Sequence, residues 1–199
     1  MTAAGDPSRR WNRSDDKGLR RLVVALLCEN GRVTGFLVRR ATVDDVDVVA
    51  RHRVAMFRDM GEIASETLEQ VLLEASTKAL AVCLANATYL GWLATDAGGA
   101  VRAGAGVQLR SQLPRIAMDG KRVETGPAPL VLNVYTEPEW RRRGLARVLM
   151  QHVMAWAADT GLDRLVLRAS NDGRPLYEAL GFAATNEMSW DPRRFRRMD

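Results

Sequence analysis

The sequence predicts a mixed-sheet α/β or α+β layer fold. Three observations carry that expectation. Strand-like and helix-like runs follow one another as strand, helix, helix, strand, strand, strand, helix, strand, helix, strand, which is not a strict β–α alternation. Two apolar runs meet around "AGG", a hairpin signal. And the apolar run Leu130–Thr136 passes through Glu137, Pro138 and three consecutive arginines to Gly144, where an amphipathic helix begins.

Residues 1–18 are polar, contain Gly and Pro, and show no periodicity, so they read as a disordered basic tail. Residues 19–35 read as an N-terminal extension. Within it Leu22–Cys28 is separated by "ENGR" from Gly35–Ala41, and an Asn-Gly between apolar runs suggests a hairpin and an extra strand. Arginines precede this apolar run, but Glu29 follows it instead of a small-residue cleavage site, so a signal peptide is not expected. Thr42, with Asp45 three residues on, reads as a helix cap. Val46, Val49, Ala50 and Val54 follow at helical spacing, and the helix should stop near Gly61. Ser65 opens a second helix with Leu68, Val71, Leu72 and Ala75 on one face. "TYLGWLATD" and "AVRAGAGVQLR" form the hairpin, and residues 110–129 form a long polar connection. A helix from about Arg143 to Thr160 follows the buried strand, with Leu145, Val148, Leu149, His152 and Trp156 as its core stripe. "RLVLRAS" is a strand, "DGRPLYEALG" a short helix ended by Gly181, and "FAATNEMSW" a last strand. His152 is expected as a packed structural histidine and His52 at the surface.

The net charge of +5 over 199 residues lies in the tails. Residues 1–21 carry +3, residues 191–199 carry +2, and the 19 basic and 19 acidic side chains between them cancel. A nucleic-acid surface on the folded body is therefore disfavoured, and residues 193–199 read as a solvated basic tail. Cys28 and Cys83 make no disulfide framework or metal cluster, which suits a reducing, cytoplasmic setting without a metal. No apolar run approaches the roughly 20 residues of a membrane span.

The strand–glycine–helix junction carries the chemistry. The first N–H groups of a helix lack internal partners, and the aligned peptide dipoles add about half a positive charge there. Gly144 lets a backbone approach an anion closely and Ala146 keeps the next turn thin, so the backbone of Arg142–Ala146 reads as a phosphate cradle. The arginine side chains add long-range attraction. The Walker pattern is absent, and "GAGVQL" at Gly104 departs from the dinucleotide fingerprint because Leu109 takes its last position within a strand.

At this point the residues resemble the GNAT superfamily of acyl-CoA-dependent N-acyltransferases. Arg141-Arg142-Arg143-Gly144-Leu145-Ala146 matches its Q/R-x-x-G-x-G/A motif between the fourth strand and third helix. "ASNDGRPLYEALGF" is similar to the motif in which a tyrosine precedes L-G-F, and "FLVRRATVDDVDVVARHRVAMF" to the first strand and helix. The similarity covers about residues 36–190.

The resemblance implies a GNAT domain over residues 36–192. Its mixed, mostly antiparallel sheet should have six to seven strands, helices on both faces, and a splay between the fourth and fifth strands. It implies acetyl transfer from acetyl-CoA to a small-molecule or peptide amine by direct attack in a ternary complex. The alternative is a non-catalytic CoA-binding or interaction module of the same fold; a homodimer is allowed. By position, Val134, Tyr135 and Thr136 should meet the pantetheine arm, and Arg141, Arg142, Arg143, Gly144, Leu145, Ala146 and Arg147 the pyrophosphate. Ser170 or Asn171 should face the cofactor, the spacing favouring Ser170. Tyr177 should donate to the departing thiolate. No carboxylate lies on the fourth strand, so the base is unassigned. Phe57, Asp59, Met60, Glu62 and Asn133 are the candidates for binding the acceptor, a mix that suits an amine with an apolar portion.

Overall fold

The computed structural model describes residues 35–190. The basic tails and Leu22–Cys28 with its expected hairpin lie outside the described residues. The chain divides into two units after Arg168.

In the first unit, every residue of β2 (Tyr89–Thr95) is buried. A strand buried along its whole length needs cover on both faces. One face is supplied by α1 (Val46–Asp59) and α2 (Glu66–Ala85), whose Val46, Val49, Ala50 and Leu80 pack with Tyr89 and Leu93. The other is supplied by α3 (Leu145–Asp159), whose Trp156 ring lies 5.6 Å from that of Trp92. Leu93, Leu145, Leu149, Met150, Val107 and Val153 are the largest fully buried side chains, each contributing about 1.5–3 kcal/mol.

The main sheet runs β1–β2–β3–β6–β7, with β1 Leu37–Arg40, β3 Val101–Arg110, β6 Ala128–Thr136 and β7 Val166–Leu167. All neighbours are antiparallel except β6 and β7. The class is as the sequence predicts, but the main sheet has five strands among the described residues instead of six or seven. Two further strands, β4 (Arg115–Ile116) and β5 (Val123–Glu124), form a ribbon in the segment expected as an irregular connection. Asp163 anchors it, pairing with Arg115 and accepting from Met118 N at 2.8 Å. The strand expected over residues 182–190 is absent: no ladder forms there, and residues 183–190 are all exposed.

The helix caps follow the sequence. Thr42 and Asp45 form a capping box at a 3-10 turn leading into α1, reinforced by Arg39 on both oxygens of Asp45 at 2.7 Å. Ser65 Oγ accepts from Leu68 N at 3.2 Å at the start of α2. The second unit holds α4 (Arg174–Glu178), closed by Gly181 at φ +90° and by Phe182 N donating to Tyr177 O at 3.0 Å.

Candidate active site

Two features of β6 define the site. The first is where its pairing stops. The ladder with β7 contains only Leu130↔Val166 and Val131↔Leu167, so β6 continues from Leu132 to Thr136 with that edge open. This is the splay expected between the fourth and fifth strands of the main sheet. Glu137 N donates to Arg102 O of β3 at 2.9 Å. By strand alternation Tyr135 shares that direction, while Thr136 and Val134 turn their N–H and C=O groups to the open edge. Arg141 Nε reaches Thr136 O from there at 3.0 Å.

The second feature is a bulge. Between the pairs Gly106↔Leu132 and Gly104↔Tyr135, Ala105 opposes both Asn133 and Val134. Asn133 takes φ +54°, a left-handed conformation that asparagine tolerates better than most residues. Its side chain is buried on the α1 face. Asn133 Oδ1 accepts from Arg53 NH1 at 2.7 Å, and Nδ2 donates to Tyr89 Oη at 3.3 Å. The "GAG" of β3 makes this arrangement fit. A Cβ on Gly106 would lie 2.1 Å from Tyr89 Oη, and one on Gly104 would lie 3.1 Å from Leu93 Cδ2. Burial raises the Tyr89 phenol to about 12 against the bonds from Asn133 and the charge of Arg53, so it stays protonated at neutral pH.

Past β6, a 3-10 turn (Pro138–Trp140) leads to the arginines. The three differ. Arg141 is engaged on Thr136 O and in an ion pair with Asp59 at the end of α1. Arg143 lies over Trp140, 4.6 Å from the ring centroid. Arg142 is exposed, has φ +61°, and its guanidinium has no partner among the described residues. Gly144 caps α3 at φ +87°, with open space where a Cβ would stand. The first backbone bond of the helix is Val148 N to Gly144 O at 3.1 Å. The N–H groups of Arg142 through Arg147 thus lack partners among the described residues and are gathered at one helix end. Leu145 is buried beneath them, Ala146 is half-buried, and Arg147 is exposed.

Of the acceptor candidates, Asp59 is already neutralised by Arg141. Phe57 lies under the Arg53 guanidinium at 4.9 Å. Met60 and Glu62 are exposed, and Asn133 is a buried bulge residue. His52, expected at the surface, is instead 5% exposed. It faces β6 because the 48–52–55 stripe of α1 turns inward. It lines a cleft of about 610 Å³ with Arg102, Tyr135 and Glu137. Its Nε2 stands 3.8 Å from Glu137 Oε1, and burial lowers its pKa against the opposing effect of Glu137. His152 is half-buried, and burial lowers its pKa too.

In the second unit, Ser170 Oγ accepts from Gly173 N at 3.2 Å and Ser170 O from Arg174 N at 3.0 Å, so Ser170 is committed to the turn before α4. Asn171 is exposed. Tyr177 packs edge-on against Phe182 at 6.0 Å, and burial raises its pKa.

Sequence reasoning missed Arg53, Tyr89 and His52. Arg53 and Asn133 are 80 residues apart, and no local pattern signals that pairing. The paired glycines of β3 were a legible sign of close approach.

The comparisons define the class first: an acyltransferase fold. A family model described as Acetyltransferase (GNAT) domain matches residues 87–184. A GCN5-related N-acetyltransferase from Ralstonia eutropha JMP134 superposes with a TM-score of 0.70 at 31% identity, covering 80% of this chain and 99% of that one. A predicted acetyltransferase from Clostridium acetobutylicum, crystallised with acetyl-CoA, gives 0.66 at 25% identity, covering 78% of this chain and 94% of that one. An aminoglycoside N(6')-acetyltransferase type 1 from Acinetobacter genomosp. 13 is 34% identical over 68 residues, which span 33% of this chain and about half, 47%, of that enzyme. The chain belongs to the GNAT family of N-acetyltransferases. Among the described residues no cluster of His, Cys, Asp and Glu could hold a metal, and no helix is long and apolar enough to cross a membrane.

Proposed function

We propose that this N-acetyltransferase moves acetyl from acetyl-CoA to a small-molecule or peptide amine by direct attack in a ternary complex. The observation that carries the reading is the set of unpartnered N–H groups from Arg142 to Arg147, at the end of a strand whose edge is open over Leu132–Thr136. An anion fits there because the N–H groups are unpartnered among the described residues, the helix dipole favours negative charge, and Gly144 leaves room. In this reading those groups hold the pyrophosphate, and Val134 and Thr136 meet the pantetheine arm. Of the three consecutive arginines, Arg141 is engaged by Asp59 and Thr136 O, Arg143 lies over Trp140 with its N–H groups still available, and Arg142 has no contact among the described residues, so Arg142 and Arg143 have donors to offer. Ser170 or Asn171 takes the cofactor-facing place; Ser170 Oγ accepts from Gly173 N and keeps its hydroxyl proton to donate.

In the reaction the amine lone pair forms the C–N bond, the C–S bond breaks, and the thiolate leaves. Tyr177 donates a hydrogen bond to that thiolate. Its raised pKa keeps the phenol protonated and favours donation over full proton transfer. The amine must lose a proton as well; β6 offers Asn133 and Tyr135 instead of a carboxylate, so that proton passes to water. We assign catalysis to residues 36–192 and a cytoplasmic setting to the protein. The test is an amine panel with acetyl-CoA, reading thiol release. Turnover of at least one amine is expected; CoA binding without transfer to any would favour a non-catalytic module.

A further inference from the structure

Arg53 is a partly buried cation without a counter-charge among the described residues. Two charged neighbours are each paired elsewhere: Arg58 with Glu69, and Arg141 with Asp59. Arg53 itself touches the neutral amide of Asn133 and lies over Phe57. Tyr89, bonded to Asn133, offers no negative charge at neutral pH. Removing a guanidinium from water without an acid is costly, and burial lowers the pKa of Arg53. None of its nitrogens is both buried and unpaired, so the donors Asn133 leaves unused remain open to solvent.

Its position gives that charge a use. From Thr136 back to Leu132 the open edge spans five residues, roughly 16 Å of strand. An extended arm anchored at the Gly144 end therefore brings its far, reacting end to the level of Asn133. Arg53 stands at that level on the α1 face, with Asn133 holding one edge of the fork and Phe57 beneath it. A planar carboxylate suits the remaining edge.

We infer that Arg53 binds a carboxylate on the acceptor, so that the acceptor is an amine which also bears a carboxylate. This rests on the acetyl-transfer reading and names the acceptor class. A polycationic acceptor such as an aminoglycoside would meet an unneutralised positive charge in the same place.

The experiment pairs amino acids of increasing chain length with their amides, adds one aminoglycoside, and compares wild type, Arg53→Gln and Arg53→Lys. Thiol release from acetyl-CoA is read in parallel with calorimetric binding of each amine to the acetyl-CoA-bound protein. The expected result is a best acceptor that carries a carboxylate. Its kcat/KM relative to its own amide should fall about 10–100-fold in Arg53→Gln and recover in part in Arg53→Lys, which restores charge without the fork. The fall should lie mainly in acceptor KM, with acetyl-CoA affinity and melting temperature close to wild type. Amides or the aminoglycoside serving as well as acids in wild type would overturn the inference. So would an equal loss for acid and amide in Arg53→Gln, which would make Arg53 a prop for Asn133. If acetyl-CoA binds and nothing is acetylated, the transfer reading fails. The binding arm then decides the Arg53 inference: heat from acids, lost in Arg53→Gln, supports it, and no acid binding overturns it.

Discussion

Replacing Gly144 with valine separates backbone recognition of an anion from recognition by basic side chains. Gly144 sits at φ +87° and ψ 0°, and a Cβ would meet nothing within 4 Å. The penalty is thus conformational and not a collision. An L-residue held in the left-handed region costs about 1–2 kcal/mol, and a β-branched one more. Valine either keeps the turn at that cost in stability, or relaxes to negative φ and turns the neighbouring N–H groups out of convergence. Losing one hydrogen bond to a charged oxygen costs about 1.5–3 kcal/mol, which is about a 10–100-fold rise in Kd. Arg142→Ala removes an exposed guanidinium that has no partner among the described residues. A surface charge contact of about 0.2–1 kcal/mol predicts at most about a fivefold rise. Calorimetric titration with acetyl-CoA, with urea unfolding of the same samples, measures both terms. Gly144→Val should weaken binding more than Arg142→Ala, and only the arginine variant should reduce the salt dependence. The opposite order would refute backbone recognition and restore a simple basic patch.

Gly106→Ala should destabilise the fold by about 1–3 kcal/mol, because its Cβ would fall 2.1 Å from Tyr89 Oη. Urea midpoints measure this, and an unchanged midpoint would show that Tyr89 yields freely. Tyr177→Phe should retain acetyl-CoA affinity while lowering kcat by about 10–100-fold, the loss of one hydrogen bond to a charged atom; steady-state kinetics with unchanged kcat would remove Tyr177 from the mechanism. Burial depresses the folded-state pKa of His52, so the unfolded chain takes up a proton first as pH falls. Stability from this residue is present above about pH 6.5 and is lost as pH drops through the folded pKa. His52→Gln should flatten the decline in urea midpoint between pH 7 and 5, and a decline equal to wild type would exclude His52 as its source.

Sequence and structure agree most closely where the information is local. Thr42 with Asp45, Ser65 with Leu68, and Gly181 after α4 are capping patterns contained within a few residues, and each recurs in the structure. The arginine loop was legible for the same reason, because a strand, a glycine and a helix stand together. The β4–β5 ribbon was not legible, since its anchor, Asp163, comes some forty residues after the ribbon. The last strand failed differently: an alternating pattern in residues 182–190 shows that a segment could pair, but a ladder also needs a partner edge.

The sequence by itself determined the class of this protein, its helix ends and its candidate phosphate cradle, because these follow from periodicity, caps and backbone groups near in the chain. Only the tertiary structure decided which arginine is engaged within the protein and that Asp59 is neutralised by Arg141. It also decided that His52 is buried and that Arg53 meets Asn133 without a counter-charge among the described residues. Burial and charge pairing depend on side chains brought together from distant positions, and that proximity is a property of the packed fold.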